Sequence, residues 1–372
     1  MPTTGIPIEQ IKNITDNTLN NYMKRVYLEL VLDLDDYVGH SLVEGDMTSI
    51  CTENFSGGVY KQWQAMVDVI ASDEHVGAFS QITLSDNNIT AVAKQAARQT
   101  ISKFIYDLLE EDAQKGEAEL INLVKTKAQA MMLGHVKTNE AWTWACPAEG
   151  DALTPLGIPA HVVKYDSTDA TPTAGGFLGT YPYGSNGVEW TTTPDGLDPA
   201  TYPMAANYAF KYATATKADL IRKARRGANL TNFQAPTAIS DLVKREPKGE
   251  FTRAVFTNDA VYDDLTDIAE SQDSNIKSGD ITEYEGRVKF RKRPVIRVPY
   301  LNADASNPFY CLNFKALRVL KDPSREGPLG NTREVSTEQV TTMVRPYMWK
   351  KTWICFERKS QMVGSLLNKQ GT

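Results

Sequence analysis

Apolar side chains recur at helical spacing in three stretches of the chain. The stripe in residues 7–40 predicts an amphipathic opening helix that ends near a turn at Gly39. The stripe in residues 112–137, with Asp112 as the N-cap, predicts a helix of about 25 residues, roughly 37 Å long. A third helix is predicted over 216–229. The predicted buried faces are Ala118, Ile121, Val124, Ala128, Met131 and Met132 in the long helix, and Leu220, Ile221 and Ala224 in the third.

Apolar and polar residues alternate within 45–88, between turn-rich segments. This alternation predicts a strand with Val59, Trp63, Ala65 and Val67 on one face and Tyr60, Gln62, Gln64 and Asp68 on the wet face. Because glycines bound it, we expect a protruding hairpin. Residues 88–109 fit either an alanine-rich helix or a returning strand, and we prefer the strand.

The second half of the chain alternates short strands with one further helix. Val255 and Phe256 end a predicted strand, and Thr257 or Asn258 caps a helix lined by Val261, Leu265 and Ile268. Further strands are predicted within 281–302, 308–319 and 338–363. Residues 145–215 are rich in Gly, Pro, Thr and Tyr, which predicts loops and short strands. The fold class predicted is α+β.

The charge balance argues against phosphate binding as the main task. The chain has 372 residues, enough for two to three lobes, and a net charge of −6 with a pI of about 5.4. Basic clusters lie at Lys223, Arg225 and Arg226 and at Lys289, Arg291, Lys292 and Arg293. We interpret both clusters as solvated or subunit-facing charge.

The cysteines and the apolar runs carry no sign of metal binding, secretion or membrane insertion. Cys51, Cys146, Cys311 and Cys355 are far apart, so we expect buried free thiols in a reducing cytosol. The N-terminus lacks the pattern of a secretory signal, and no run approaches about 18 apolar residues.

No catalytic, cofactor-binding or metal-binding residues are predicted. The chain has no GxxxxGK[ST], HExxH or GxSxG motif, and its four histidines lie in different segments. His135 is interpreted as a favourable charge at a helix C-terminus. Gly175, Gly176 and Gly179 are interpreted as a flexible loop, and the tryptophans as core or subunit-interface residues.

The order of these elements resembles that of the major capsid proteins of tailed bacteriophages. Six stretches carry the likeness: GEAELINLVKTKAQAMM, LTPLGIPAHVV with NGVEW, RAVFTNDAVYDDL, VKFRKRPVIRVPYL, NPFYCLNFKALRVL and WICFERKSQMVGSL. The resemblance implies a Hong Kong 97-like capsid fold with an N-terminal arm, an extended β-hairpin loop, a long spine helix, and peripheral and axial domains. Residues 160–215 match the family least well.

The resemblance also implies domain boundaries. Residues 1–44 would be the arm and 45–108 the extended loop. Residues 109–212 with 336–372 would form the peripheral domain, which contains the spine helix. Residues 213–335 would form the axial domain.

The function implied is that of a structural protein, not an enzyme, which self-assembles through pentamers and hexamers into an icosahedral shell around phage DNA. The implied location is the virion capsid, assembled in the cytoplasm of the host bacterium. Scaffolding, portal and decoration proteins would be further partners, DNA a non-specific neighbour, and no membrane is involved. Some relatives are joined through Lys–Asn isopeptide bonds, but we expect no such bond at Lys61 or Lys94.

Other functions fit parts of the sequence. An encapsulin-type nanocompartment would have the same fold, although the loop-rich region 145–215 is unexpected there. A carbohydrate-active enzyme would use the aromatic, Gly-rich middle of the chain, but no carboxylate pair is recognisable. A portal or tail component fits the order of elements less well.

Overall fold

The part of the chain that the structure describes mixes helices with three β-sheets, as the predicted α+β class requires. The computed structural model describes residues 37–45, 51–55, 57–66, 90–107, 117–166, 176–231, 253–270, 281–284, 287–291, 293–325, 327–328, 333–336 and 339–370. The α-helices in these ranges are Val38–Val43 (α1), Glu117–Thr143 (α2), Ile158–His161 (α3), Arg222–Thr231 (α4) and Asp259–Glu270 (α5). None of them is long and apolar enough to cross a lipid bilayer.

Fifteen strands lie in the same ranges. They are Thr52–Asn54 (β1), Tyr60–Met66 (β2), Thr90–Ala96 (β3), Gln99–Asp107 (β4), Tyr208–Lys211 (β5), Arg253–Thr257 (β6), Ile281–Tyr284 (β7), Arg287–Phe290 (β8), Arg293–Arg297 (β9), Phe309–Asn313 (β10), Leu317–Lys321 (β11), Gly327–Pro328 (β12), Arg333–Ser336 (β13), Gln339–Cys355 (β14) and Met362–Ser365 (β15). The strands predicted at 88–109 and in the second half of the chain are confirmed.

A seven-stranded sheet has the order β5-β15-β10-β6-β9-β8-β7. Its β5–β15 and β6–β9 pairs are parallel, and the other pairs are antiparallel. Alternate residues point to opposite faces of a strand, and here both faces are apolar. Val255 packs on one side with residues of α4 and α5, whereas Phe256 packs on the other with Trp144 and Tyr310.

The predicted strand–helix unit forms the centre of this sheet. The Asn258 side chain follows β6, and its Oδ1 accepts a hydrogen bond from the Val261 N–H at 3.2 Å, which caps α5. Val261 and Leu265 are fully buried, and Ile268 is partly buried against the same core. The helix predicted at 216–229 is also confirmed, as a π-helical turn at Lys217–Ile221 that continues into α4.

The long strand β14 organises the six-stranded sheet. Its residues 351–355 pair antiparallel with β11, and its residues 342–350 pair antiparallel with β4. Strands β12 and β13 also pair with β14, and β1 pairs parallel with β11. Helix α2 packs across β4 and β14, where Ala128 and Met132 contact a cluster that includes Phe104 and Met343.

Helix α2 extends farther than its apolar stripe predicts. It has 27 residues, about 40 Å, and ends at Thr143 instead of 137. The prediction was short because the last turns bury the polar side chains of Asn139 and Glu140, which an apolar pattern does not detect. The predicted N-cap, Asp112, lies outside the described residues.

Two further predictions about helix ends are wrong. Gly39 lies inside α1, where a Cβ atom would come within 2.8 Å of Glu140 Oε2, so the glycine permits close helix contact instead of forming a turn. His135 lies two turns before the end of α2 and is buried, so it is not a charge at the helix C-terminus. Residues 7–36 of the helix predicted over 7–40 lie outside the described residues.

In its described parts, 145–166 and 176–215, the region 145–215 consists mainly of loops, as predicted. It contains the short helix α3 and two isolated bridges, Gly179 with Asn207 and Tyr183 with Glu189. Gly179 pairs closely with Asn207, whose side chain would lie 2.3 Å from a Cβ atom at this position, and Gly175 lies outside the described residues. The four cysteines are buried free thiols, also as predicted.

Candidate assembly surfaces

A two-stranded ribbon forms where the hairpin was predicted. Strands β2 and β3 pair antiparallel, from Tyr60 opposite Ala96 to Met66 opposite Thr90. Gly57 and Gly58, with φ of 90° and 96°, lead the chain into β2 through a left-handed conformation that glycine adopts without strain. The segment 67–89 between the strands lies outside the described residues.

The inner face of the ribbon rests on the body of the protein. Trp63 meets Phe356 edge-on, with ring centroids 5.2 Å apart, and Ala93 packs with Leu197 and Ala205. The side chain of Gln95 also donates a hydrogen bond to the Trp353 carbonyl. The described strands of the hairpin therefore rest on the body along their inner face, and the rest of the predicted protruding hairpin lies outside the described residues.

The outer face of the ribbon is exposed and partly apolar. Tyr60 is 54% exposed and Val92 is 63% exposed, and Val59 is exposed just before β2. Gln62 and Gln64 are exposed beside them, as the alternation predicts, whereas the prediction that Val59 lies on the sheltered face is wrong. Grouped exposed apolar side chains mark surfaces that bind another molecule.

The two lysines of the ribbon differ in environment. Lys61 Nζ lies 3.1 Å from Glu53 Oε1, and Glu53 also pairs with Arg318 at 2.9 Å. Lys94 lies on the outer face, with its Nζ 6.0 Å from the centre of the Tyr60 ring. Lys61 is thus held in an ion-pair network at the base of the ribbon, and Lys94 faces outward.

A second exposed apolar surface lies on the β4–β14 half of the six-stranded sheet. The even-numbered residues Phe104 and Tyr106 of β4 face α2 and are buried. On the opposite side, Ile101 and Ile105 are 53% and 44% exposed. Ile105 pairs with the half-buried Val344 of β14. We call this side, with Ile101, Ile105 and Val344, the open face; its β4 side is exposed, whereas Met348, which pairs with Ile101 on β14, is buried.

A buried polar cluster joins α1, α2 and β14, and we call it the clasp. Glu44 Oε1 lies 3.0 Å from His135 Nε2 and pairs with the ammonium group of Lys351. The Asn139 amide lies 3.0 Å from His135 Nε2 and 3.1 Å from His40 Nδ1. These contacts fix the segment around α1 against the long helix.

A second set of clasp contacts involves Glu140 and two tryptophans. Glu140 accepts hydrogen bonds from the His40 backbone N–H at 3.0 Å and from Trp144 Nε1 at 2.8 Å. Trp142 Nε1 donates to Asn139 Oδ1 at 3.1 Å. Sequence reasoning missed the clasp, since its polar members are spread over positions 40–351 and form no local motif.

Burial changes the ionisation of the clasp groups. Desolvation lowers the pKa of His135 from 6.5 to about 4 and that of His40 to about 3, with His135 and Lys351 adding to the effect at His40. Burial also raises the pKa of Glu140 and lowers that of Lys351 well below its usual value. Both imidazoles are therefore neutral at pH 7. The clasp is sealed in the core, so it can hold elements together but cannot receive a substrate.

A cavity of about 250 Å³ lies between the loop region and the C-terminus. It is lined in part by Lys164, Asp304, Lys369 and Cys146. Lys164 pairs with Asp304, and Lys369 pairs with Glu189, so the charges on its wall neutralise one another. Burial raises the pKa of the Cys146 thiol to about 12, which disfavours the reactive thiolate. Across the described ranges, no group of three or more His, Cys, Asp or Glu side chains could hold a metal ion.

No protein-family model and no curated protein matches the chain. Solved structures do show similarity over most of its length. The capsid asymmetric unit of cyanophage A-1(L) is 14% identical, with a TM-score of 0.48 over 85% of this chain and 91% of that one. The capsid of a native GTA particle is 10% identical, with a TM-score of 0.46 over 88% and 90%. The mature capsid of bacteriophage PhiM1 is 11% identical, with a TM-score of 0.43 over 86% and 85%. These three neighbours are capsid structures.

Proposed function

We propose that this chain is the major capsid protein of a tailed bacteriophage, a non-enzymatic subunit that assembles into the icosahedral shell around phage DNA. The observation that carries the proposal is the pair of exposed apolar surfaces, the outer face of the ribbon and the open face of β4–β14. The ionisable side chains of the clasp and the cavity, by contrast, are paired with one another. Exposed apolar surfaces bind other molecules, whereas buried charges that are paired with one another stabilise the fold.

The proposed subunit has the Hong Kong 97-like arrangement implied by the sequence resemblance. Residues 1–44 are the N-terminal arm, and the extended loop 45–108 contains the ribbon. Residues 109–212 with 336–372 form the peripheral domain with α2 as its spine helix, and 213–335 form the axial domain. In this arrangement the ribbon and the open face both belong to the parts that meet neighbouring subunits.

Shell formation follows from many moderate contacts. A specific interface buries about 1,600 Å² in total, and a shell subunit has several neighbours. Apolar side chains on two surfaces supply part of that area. The net charge of −6 fits a shell whose wall does not grip the genome, so DNA is a non-specific neighbour in this proposal. Pentamers and hexamers of the chain, with scaffolding, portal and decoration proteins, complete the proposed virion capsid, assembled in the host cytoplasm.

Sedimentation velocity of the purified chain tests the proposal. We expect the wild-type protein to form large closed assemblies, alone or with a scaffolding protein. The variant Val59→Ser/Tyr60→Ser/Val92→Ser should keep its circular dichroism spectrum and lose assembly, because it removes the exposed apolar face of the ribbon. The matched control, Gln62→Ser/Gln64→Ser on the same outer face, should assemble like wild type. A wild-type chain that remains a single subunit at high concentration under both conditions contradicts the proposal.

The contents of purified particles separate a capsid from a nanocompartment. Nuclease-protected DNA inside particles recovered from infected cells is the result expected of a capsid protein. Protein cargo in place of DNA would instead assign the chain to an encapsulin-type shell.

A further inference from the structure

Helix α4 presents a basic surface. Arg222, Arg226 and Leu230 are four residues apart in succession, so they lie on one side of the helix. All three are exposed. The opposite side of the helix, with Ala224 and Ala228, is buried against the seven-stranded sheet. We call the exposed residues Arg222, Arg226 and Leu230 the basic face.

Helix α5 presents the complementary charge. Asp263, Asp264, Asp267 and Glu270 are exposed on its outer side. Partial burial raises the pKa of Asp264, and the neighbouring carboxylates of Asp267 and Asp263 add to the shift. The exposed Tyr300 lies on the 3-10 turn Pro299–Ala303, which contacts α5. We call these four carboxylates with Tyr300 the acidic face.

The two faces do not neutralise each other within the chain. Both helices cover the same side of the seven-stranded sheet, but α4 contacts β5 and β15 whereas α5 contacts β7, β8 and β9 toward the other edge. Ion pairs of these helices join Lys223 to Asp219 at 2.7 Å, within the same helical segment, and Asp259 of α5 to Arg297 of β9 at 3.3 Å. Within the described ranges, no ion pair joins Arg222 or Arg226 to α5.

We propose that the basic face of α4 binds the acidic face of α5 on a second copy of the chain. This proposal deepens the proposed function and rests on it, since it names one contact between neighbouring subunits. Each face combines charge with one exposed large apolar side chain, Leu230 or Tyr300, as docking surfaces commonly do. Because the two faces lie toward opposite edges of one sheet, the contact is head-to-tail, and repetition of a head-to-tail contact closes into a ring when the rotation permits.

A second copy fits these faces better than nucleic acid does. The basic face is small, the chain carries a net charge of −6, and the acidic face on the same side of the sheet repels phosphate. The acidic face matches the basic face in both charge and the presence of an apolar anchor. Charge complementarity of this kind fixes the partner and the register of a contact.

Charge reversal tests the contact. Arg222→Glu/Arg226→Glu should weaken association at least about tenfold, because it places like charges opposite each other. Asp263→Lys/Asp267→Lys should do the same. The fourfold variant that combines both changes keeps the net charge of −6 and should recover assembly. The circular dichroism spectra of all three variants should match wild type, since the altered side chains are exposed.

Mixing the two double variants provides the sharper test. Each variant repels itself, but the acidic α4 of one matches the basic α5 of the other. The mixture should therefore associate in alternation, which permits rings with an even number of subunits and forbids five-membered rings. Native mass spectrometry and electron microscopy measure these species. Raising the salt concentration to about 1 M, where the Debye length is about 3 Å, should weaken the wild-type contact and shrink the difference between wild type and the variants.

The possible failures are distinguishable. If wild type assembles and the double variants assemble equally well, this contact is wrong and the proposed function stands. If wild type does not assemble at all, the proposed function itself fails. If Arg222→Glu/Arg226→Glu abolishes DNA binding in a mobility-shift assay while assembly is unchanged, the basic face binds nucleic acid and the second-copy contact is overturned.

Discussion

The seven-stranded sheet and the β4–β14 half of the six-stranded sheet differ in how much of their surface is buried within one chain. The first is covered on both faces: Phe256 is buried on one side and Val255 on the other. The second is covered on one face by α2, while Ile101 and Ile105 remain exposed on the other. Apolar surface that stays open to water is favourable only when another surface covers it. The comparison assigns stability of the subunit to the two buried faces of the first sheet, and association to the exposed side chains on the open face of the second.

The largest expected effect comes from the covered sheet. Phe256→Ala should lower the free energy of unfolding by about 3–5 kcal/mol, because it leaves a cavity among Trp144, Tyr310 and Phe314. Urea denaturation followed by tryptophan fluorescence measures this loss in unassembled subunits. Ile101→Ala on the open face is the control and should change stability by no more than about 0.5 kcal/mol. Equal losses in both variants would remove the distinction between the two regions.

Acid should act through the clasp, which holds α2 on the covered face of β14. The pKa of His135 is about 4 in the folded protein and 6.5 in the unfolded chain. Between these values the unfolded state binds more protons, so stability falls as the pH drops below 6.5, by on the order of 2 kcal/mol for His135 at pH 5. The lowered pKa of His40 also reduces the stability of the folded protein as the pH falls, whereas the raised pKa of Glu140 increases it.

Unfolding free energies measured between pH 7 and pH 4.5 test this expectation. His135→Gln keeps a hydrogen-bonding side chain that does not ionise, so it should flatten the pH dependence. The charged groups around the imidazole are Glu44 of the segment after α1 and Lys351 of β14, both present in the variant. An unchanged pH profile in His135→Gln would show that other groups control acid stability.

The smallest change in the unfolding free energy of the subunit is expected at the open face. Assembly should nevertheless weaken clearly there. Ile101→Ser/Ile105→Ser should leave the unfolding free energy within about 0.5 kcal/mol of wild type, since both side chains are already exposed. Assembly measured by light scattering should weaken about tenfold if a neighbour covers this face, because about 1.4 kcal/mol of lost burial equals one power of ten. The control is Lys103→Ser, which lies between them on the same face. Loss of assembly in the control alone would instead assign the contact to charge.

Local sequence patterns correctly predicted the elements that are defined by residues close together in the sequence. The strand–helix unit with its Asn258 cap, the returning strand after 88 and the buried face of α4 all follow from spacing within one element. The end of α2 did not, because Asn139 and Glu140 are buried by partners about a hundred residues away. Periodicity reports which side chains avoid water and says nothing of polar side chains that find partners in the core.

The surfaces were predictable in part. Alternation placed Gln62 and Gln64 on the wet face of the hairpin, and the basic cluster around Arg226 was visible in the sequence. The exposure of Ile101 and Ile105 was not, since an apolar residue in a strand looks the same whether its own chain or a neighbour covers it. The contact between the inner face of the ribbon and Phe356 joins residues nearly three hundred positions apart, which no local pattern encodes.

Electron microscopy of the purified wild-type protein, alone and with a scaffolding protein, tests the central claim most directly. If the open surfaces exist to meet other copies, the images will show closed particles of uniform size, built from rings of five and six subunits. A field of separate single subunits at high concentration in both samples would contradict the account.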